Sequence, residues 1–190
     1  MSTGMTMLRC LIAAAVFLTT GGLTAQAAEM GDDGLHKTEW MRETFLDLRE
    51  DLTEANDEGK RFAIIIEQRG CMYCRKMHET IFPDPEIEAI ISDNFFVIQI
   101  NMFGDLDVTD FDGEVLTEKE IMFKWGVNFT PTFMFFPESV DDGLDARQAA
   151  VAQMPGAFGR STTIAVFEWI LLEGYANDVS LQKYVATKFQ

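Results

Sequence analysis

Phe62-Ala63-Ile64-Ile65-Ile66 places five apolar residues in a row, three of them β-branched. A strand with one wet face would alternate apolar and polar residues. An unbroken run suits a strand covered by helices on both sides, as in α/β sheets. Gly70-Cys71-Met72-Tyr73-Cys74 follows almost at once. Helical spacing then runs from about Cys71 toward Ile81, and Pro83 stops it. Any fold for this chain must accommodate a buried strand that feeds directly into a helix opening on two cysteines.

The surrounding elements can be read from spacing. Ahead of the strand, Gly31 to His36 is a polar lead-in. A helix is expected next, capped by Thr38, with Met41, Phe45, Leu48, Leu52 and Ala55 on one face and Asn56-Asp57-Glu58-Gly59 as its end. After the cysteines, Pro85 to Ser92 reads as a further helical piece and Phe95 to Ile100 as a second strand. Phe103 to Val115 is an acidic loop. Thr117 and Glu120 form a capping box for a helix over 118–125, which Gly126 ends. Thr132 to Phe136 is a third strand, opened by Thr130-Pro131. Ala149 to Gln153 is a fourth, joined to the third by a polar turn and so antiparallel to it. Ser161 caps a helix carrying Ile164, Phe167 and Leu171 that ends at Gly174, and a last helix begins at Ser180. Trp40, Trp125 and Trp169 are expected in the core. Strands alternating with helices imply an α/β sheet with parallel members.

Residues 1–27 read as an address. Arg9 gives a positive n-region, Leu11 to Leu18 a short apolar stretch, and Ala25-Gln26-Ala27 a small-x-small cleavage site. A membrane-spanning helix needs about 20 apolar residues, more than this run offers. Cleavage after Ala27 removes one of 15 basic residues and none of 31 acidic ones. The mature chain, 28–190, then has 163 residues and a net charge of −17 instead of −16. Such a chain repels nucleic acid and anionic lipid. Cys10 leaves with the leader, so Cys71 and Cys74 are the only thiols of an exported, periplasmic protein. That compartment lets disulfides persist. A pair three positions apart closes too small a loop to stabilise much, which favours a chemical purpose.

That purpose follows from position. Cys71 opens a helix, where unpaired N–H groups and the dipole favour an anion and lower a thiol's pKa from about 8.5. Its thiolate attacks a partner disulfide, and Cys74, one turn on, resolves the mixed disulfide. Arg69 and Arg75 either favour the thiolate or are ordinary solvated surface. His78 is either a packing residue or a tuner of the thiols.

Gly70-Cys71-Met72-Tyr73-Cys74, Thr130-Pro131 and the element order resemble the thioredoxin superfamily over roughly residues 60–174. The longer run Glu67 to His78, with Met154-Pro155-Gly156 and Glu173-Gly174-Tyr175, is similar to exported thioredoxins of bacterial sulfur-oxidation gene clusters, the SoxW type. The resemblance implies a thioredoxin fold: a central mixed sheet flanked by helices, here with an extra N-terminal helix and a C-terminal helical extension. It implies that Pro131 is cis and faces the cysteines, and that Thr130, with Met72 and Tyr73, shapes the substrate surface. It also implies thiol:disulfide exchange through the Cys71–Cys74 disulfide, with no other cofactor and no metal. The partners it implies are exported thiol or disulfide proteins, sulfur carriers among them, with a membrane thiol reductant as electron donor. Reductase, oxidase and isomerase share this architecture, so direction stays open, as does a role in cytochrome maturation.

The buried Asp that assists proton transfer in thioredoxin would fall near Ile65, which cannot ionise. Glu67 shares that strand face and is a candidate proton acceptor for Cys74, against the plainer reading of a partly exposed strand-end Glu. From a different class, Cys71, Cys74 and His78 could serve a metal-binding chaperone, although a structural zinc needs about four ligands. Haem attachment fails because Arg75, not His, follows Cys74. The acidic loop does not fit an EF-hand: with Gly113 at the sixth place, Val108 would be first and Lys119 twelfth. Asn128-Phe129-Thr130 is a glycosylation sequon whose glycan would block the site.

Overall fold

The computed structural model describes residues 29–188; the expected leader, residues 1–27, lies outside them. In chain order the elements are β1 (Glu29–Met30), β2 (His36–Lys37), β3 (Met41–Arg42), α1 (Leu48–Asp57), β4 (Arg61–Glu67), α2 (Met72–Thr80), α3 (Pro85–Asn94) and β5 (Phe95–Asn101). There follow β6 (Asp107–Thr109), β7 (Val115–Thr117), α4 (Glu118–Trp125), β8 (Thr132–Phe135), α5 (Ala146–Ala149), β9 (Ala152–Pro155), α6 (Arg160–Leu171) and α7 (Leu181–Thr187).

The central sheet has the order β3-β5-β4-β8-β9. β4 runs parallel to β5 and antiparallel to β8, and β9 returns antiparallel to β8. This is the mixed sheet expected from the sequence. The continuous apolar run sits at its centre because both faces are covered. Phe62, Ile64 and Ile66 point into one cluster with Leu48, Leu52 and Ala55 of α1 and Ile121, Met122 and Trp125 of α4. Ala63 and Ile65 point into the other, against Met77 of α2, Ile87 and Ile91 of α3, and Phe167 and Ile170 of α6. All three tryptophans are buried.

Several expectations are corrected. The first helix starts at Leu48, ten residues after Thr38. Asp47 is its cap, its side chain accepting from the N–H groups of Arg49 and Glu50. Met41–Arg42 instead pair in parallel with Val97–Ile98 at the sheet edge, and Phe45 is 95% exposed. The helical spacing of Met41 and Phe45 is thus a coincidence that edge pairing overrides. The polar lead-in belongs to a small antiparallel hairpin, Glu29–Met30 against His36–Lys37. The fourth strand starts three residues later than expected, because Asp145 and Gln148 form a capping box that turns 146–149 into a helical turn. Gly159, not Ser161, precedes α6. Gly174 lies past the end of α6, where a Cβ would come within 2.0 Å of the Trp169 indole nitrogen.

The acidic loop folds back as the β6–β7 hairpin. Three of its carboxylates gather on one cation: Lys124 Nζ lies 2.9 Å from Asp110, 2.6 Å from Asp112 and 3.0 Å from Glu114. Asp110 also accepts from Trp125 Nε1 and the Ala146 N–H, tying α4 and α5 to the hairpin. The Thr117–Glu120 capping box and the left-handed Gly126 cap of α4 form as expected.

Candidate functional site

β4 ends at Glu67, and Gln68-Arg69-Gly70 turn the chain toward α2. Gly70 takes φ +71°, a conformation glycine adopts without steric cost. Cys71 then becomes the N-cap of α2, its sulfur accepting the Cys74 N–H at 3.0 Å. The two cysteines form a disulfide with Cα atoms 5.2 Å apart. They differ in access: Cys71 is 8% exposed and Cys74 2%. The sulfur at the helix N-terminus is therefore the one nearer solvent, and it sits where backbone N–H groups favour negative charge.

The loop before β8 closes over that sulfur. The Thr130–Pro131 peptide bond is cis. Thr130 Oγ1 donates to Cys71 Sγ at 3.3 Å, and the Thr130 carbonyl oxygen lies 3.5 Å from the same atom. The loop is held from both sides: Thr132 Oγ1 donates to the Phe129 carbonyl, and the Gly156 N–H to that of Pro131, each at 2.7 Å. Around the sulfurs, Met72 is 64%, Tyr73 58% and Phe129 68% exposed. Large apolar side chains in water at the mouth of a reactive pair suit a surface that covers a polypeptide. Thr130, Pro131, Met72 and Tyr73 thus lie together with Cys71 and Cys74. Arg75 is exposed and faces Glu79 at 3.8 Å, while Arg69 leans toward the Asp33 carbonyl at 3.4 Å.

Glu67 is not a partly exposed strand end. It is 1% exposed, as is His78. Because Glu67 shares a strand face with Ala63 and Ile65, it points toward α2. His78 Nε2 lies 3.1 and 3.0 Å from its two carboxylate oxygens. Gln99 Nε2 donates to Glu67 Oε2 at 2.6 Å and to the His36 carbonyl at 2.9 Å. The His36 ring stacks on His78 with centroids 4.9 Å apart. Burial, and then the neighbouring His78, hold His36 below the usual imidazole range. Sequence reasoning missed Gln99 and His36. Gln99 carried a signal, as the one polar residue within Phe95–Ile100; His36 did not, because only the hairpin's return brings it to α2. His78 spends Nε2 on Glu67, and among the described residues no three His, Cys, Asp or Glu side chains converge on a point that could hold a metal ion.

Comparison with known proteins bears on the fold that carries this site. The chain is similar to a thioredoxin-fold protein from Helicobacter pylori, with 20% identity and a TM-score of 0.51 over 69% of this chain and 85% of that one. It is similar to a thioredoxin from Thermus thermophilus, with 19% identity and the same TM-score of 0.51 over 67% and 86% of the two chains. No curated protein matches it. The model of the thioredoxin-like domain matches residues 48–159, more than half of the sequence and the span that includes both cysteines and Pro131. With its mixed five-stranded sheet and a disulfide at the start of α2, the chain belongs to the thioredoxin-like domain family.

Proposed function

We propose that this chain is an exported thiol:disulfide oxidoreductase that works as a reductant on other exported proteins. The observation that carries the reading is the seat of Cys71 Sγ: at the N-terminus of α2, accepting a backbone N–H, beneath the Thr130–Pro131 loop. In the reduced pair, Cys71 as thiolate attacks one sulfur of a partner disulfide. A bond forms between Cys71 and that sulfur, and the partner's other sulfur leaves with the electron pair. Cys74 then attacks Cys71 Sγ, the partner sulfur bonded to Cys71 leaves with the electron pair and takes up a proton, and the protein holds the disulfide. Two electrons have passed to the partner, and a membrane thiol reductant would restore the pair.

The leader pattern of residues 1–27 supports export to the periplasm. Among the described residues no helix is long and apolar enough to cross a membrane. The similarity of the Glu67–His78 run to the thioredoxins of sulfur-oxidation clusters supports sulfur-carrier proteins as partners.

The test is to trap the intermediate. A Cys74→Ser chain, reduced and mixed with a disulfide-bonded protein, should accumulate a mixed disulfide through Cys71 that dithiothreitol releases. A Cys71→Ser chain should form none. Equal trapping by both variants, or by neither, would overturn the assignment.

A further inference from the structure

Two chain segments meet at Cys71 Sγ, the turn into α2 and the Thr130–Pro131 loop. A third braces the second: the Gly156 N–H, just past β9, donates to the Pro131 carbonyl. All three segments lack carboxylates. No Asp or Glu occurs in residues 68–78, 121–137 or 146–167, although the chain carries 31 of them against 15 basic residues. Glu67, just ahead of the turn, is buried against His78 and Gln99.

The charged side chains that flank the disulfide are basic. Arg69 precedes Cys71 by two residues, Arg75 and Lys76 follow Cys74 directly, and all three are exposed. Elsewhere basic side chains are matched by acids: Arg61 by Glu138 and Glu173, Lys124 by three carboxylates, Arg160 by Asp84 and Glu86. Beside the disulfide the match is missing. Asp33 reaches Arg69 only through its carbonyl; its carboxylate is spent on Lys37 Nζ at 2.8 Å and the Leu35 N–H at 2.9 Å. Glu79 stands 3.8 Å from Arg75 with the two side chains 62% and 60% exposed, where an ion pair is worth little. Lys76 pairs with no carboxylate among the described residues. The N-terminal hairpin nonetheless holds Arg69 in place: a Cβ on Gly34 would come within 2.4 Å of Arg69 Nε. A fixed guanidinium with no carboxylate of its own is ready to accept one from another molecule.

The whole chain and this surface therefore favour opposite partners. The net charge of −16 attracts basic ones at long range. At physiological salt, exposed charges act over only about 8 Å, so the groups beside Cys71 govern the docked encounter. Met72, Tyr73 and Phe129 supply apolar contact there, and charge supplies selection. We propose that the partner presents an acidic stretch of polypeptide beside the sulfur that Cys71 attacks, and that Arg69, Arg75 and Lys76 select it. Three charges on an acidic body fit a short run of carboxylates; an extended polyanion would meet the repelling remainder of the surface. The inference rests on the thiol-exchange reading above.

The test uses the reduced full chain and two synthetic peptides. They share an internal disulfide and differ only in the flanking residues, all Glu in one and all Lys in the other. Acid quenching and chromatography give the rate at which each is reduced. In about 0.15 M salt the Glu peptide should react roughly tenfold faster, the combined effect of three exposed pairs. The ratio should fall toward one in about 1 M salt, where screening shortens to about 3 Å. Arg69→Glu/Arg75→Glu/Lys76→Glu should reverse the preference. These changes also act on the Cys71 thiolate, so the readout is the ratio of the two peptides within each chain, from which that effect cancels. Equal rates in about 0.15 M salt, or faster reduction of the Lys peptide by the parent chain, would overturn the inference and leave the thiol-exchange reading standing. Reduction of neither peptide would overturn both. Should the triple variant not fold, the salt dependence of the parent's ratio decides alone.

Discussion

Asp51 should make this protein less stable as pH rises through the acidic range. It lies on the inner face of α1, 3% exposed, and its Oδ2 has no hydrogen-bond partner among the described residues. Burial pushes its carboxyl from 3.8 up to about 7; the Thr44 hydroxyl opposes this, and Asp47, Glu54 and Glu50 add to it. In the unfolded chain the group ionises near 3.8. The native state therefore keeps a proton that the unfolded state gives up between those values. The stability it contributes is complete below the lower value and lost as pH rises through the upper one. At about 1.4 kcal/mol per pH unit, the gap from 3.8 to about 7 is worth about 4 kcal/mol. Asp51→Asn keeps the shape and removes the titration. Urea unfolding of the oxidised chain, followed by tryptophan fluorescence near pH 4 and pH 8, should show the parent losing about 4 kcal/mol relative to the variant. The variant should be the more stable at the higher pH. Stability curves that stay parallel to within about 0.5 kcal/mol would refute the reasoning.

Three further outcomes follow from the packing. Asp110→Ala strands buried donors on Trp125 and Ala146 and should cost about 3–5 kcal/mol, seen as a fall in Tm of about 10 °C. Phe62→Ala empties a site lined by Phe96, Phe111 and Phe136 and should lower stability by about 3–5 kcal/mol in urea without changing Cys71 reactivity. Thr130→Ala removes the hydroxyl that donates to Cys71 Sγ. A hydrogen bond to a charged group is worth about 1.5–3 kcal/mol, so thiolate absorbance of the reduced protein should titrate about one pH unit or more higher.

The sheet centre and the cysteine helix were legible because their signals are local. A run of buried β-branched residues has few alternatives, and a cysteine between a glycine turn and a helix defines its own environment. The capping box at Thr117 and Glu120 was legible for the same reason. What escaped depended on distant pairing. Met41 carries helical spacing with Phe45 and Leu48, and only pairing with the edge of β5 makes it, with Arg42, a strand. Thr38 looked like a cap, but the helix starts where Asp47 supplies two acceptor contacts. The polar cluster behind the disulfide was legible only in part. Glu67 could be placed on the correct strand face, but its partners His78 and Gln99, and the His36 that contacts both of them, come from a helix, a neighbouring strand and an N-terminal hairpin. No spacing within one element brings these three together.

The central claim is that Cys71 and Cys74 cycle between dithiol and disulfide in a reducing role. The measurement that tests it most directly is the equilibrium reduction potential of the pair in the purified full chain, poised in dithiothreitol or glutathione buffers. A single reversible two-electron transition near about −270 mV, the thioredoxin range, is the expected result. A potential near about −120 mV, that of a strong disulfide-forming oxidant, would contradict the direction. Absence of any reversible transition would contradict the claim itself.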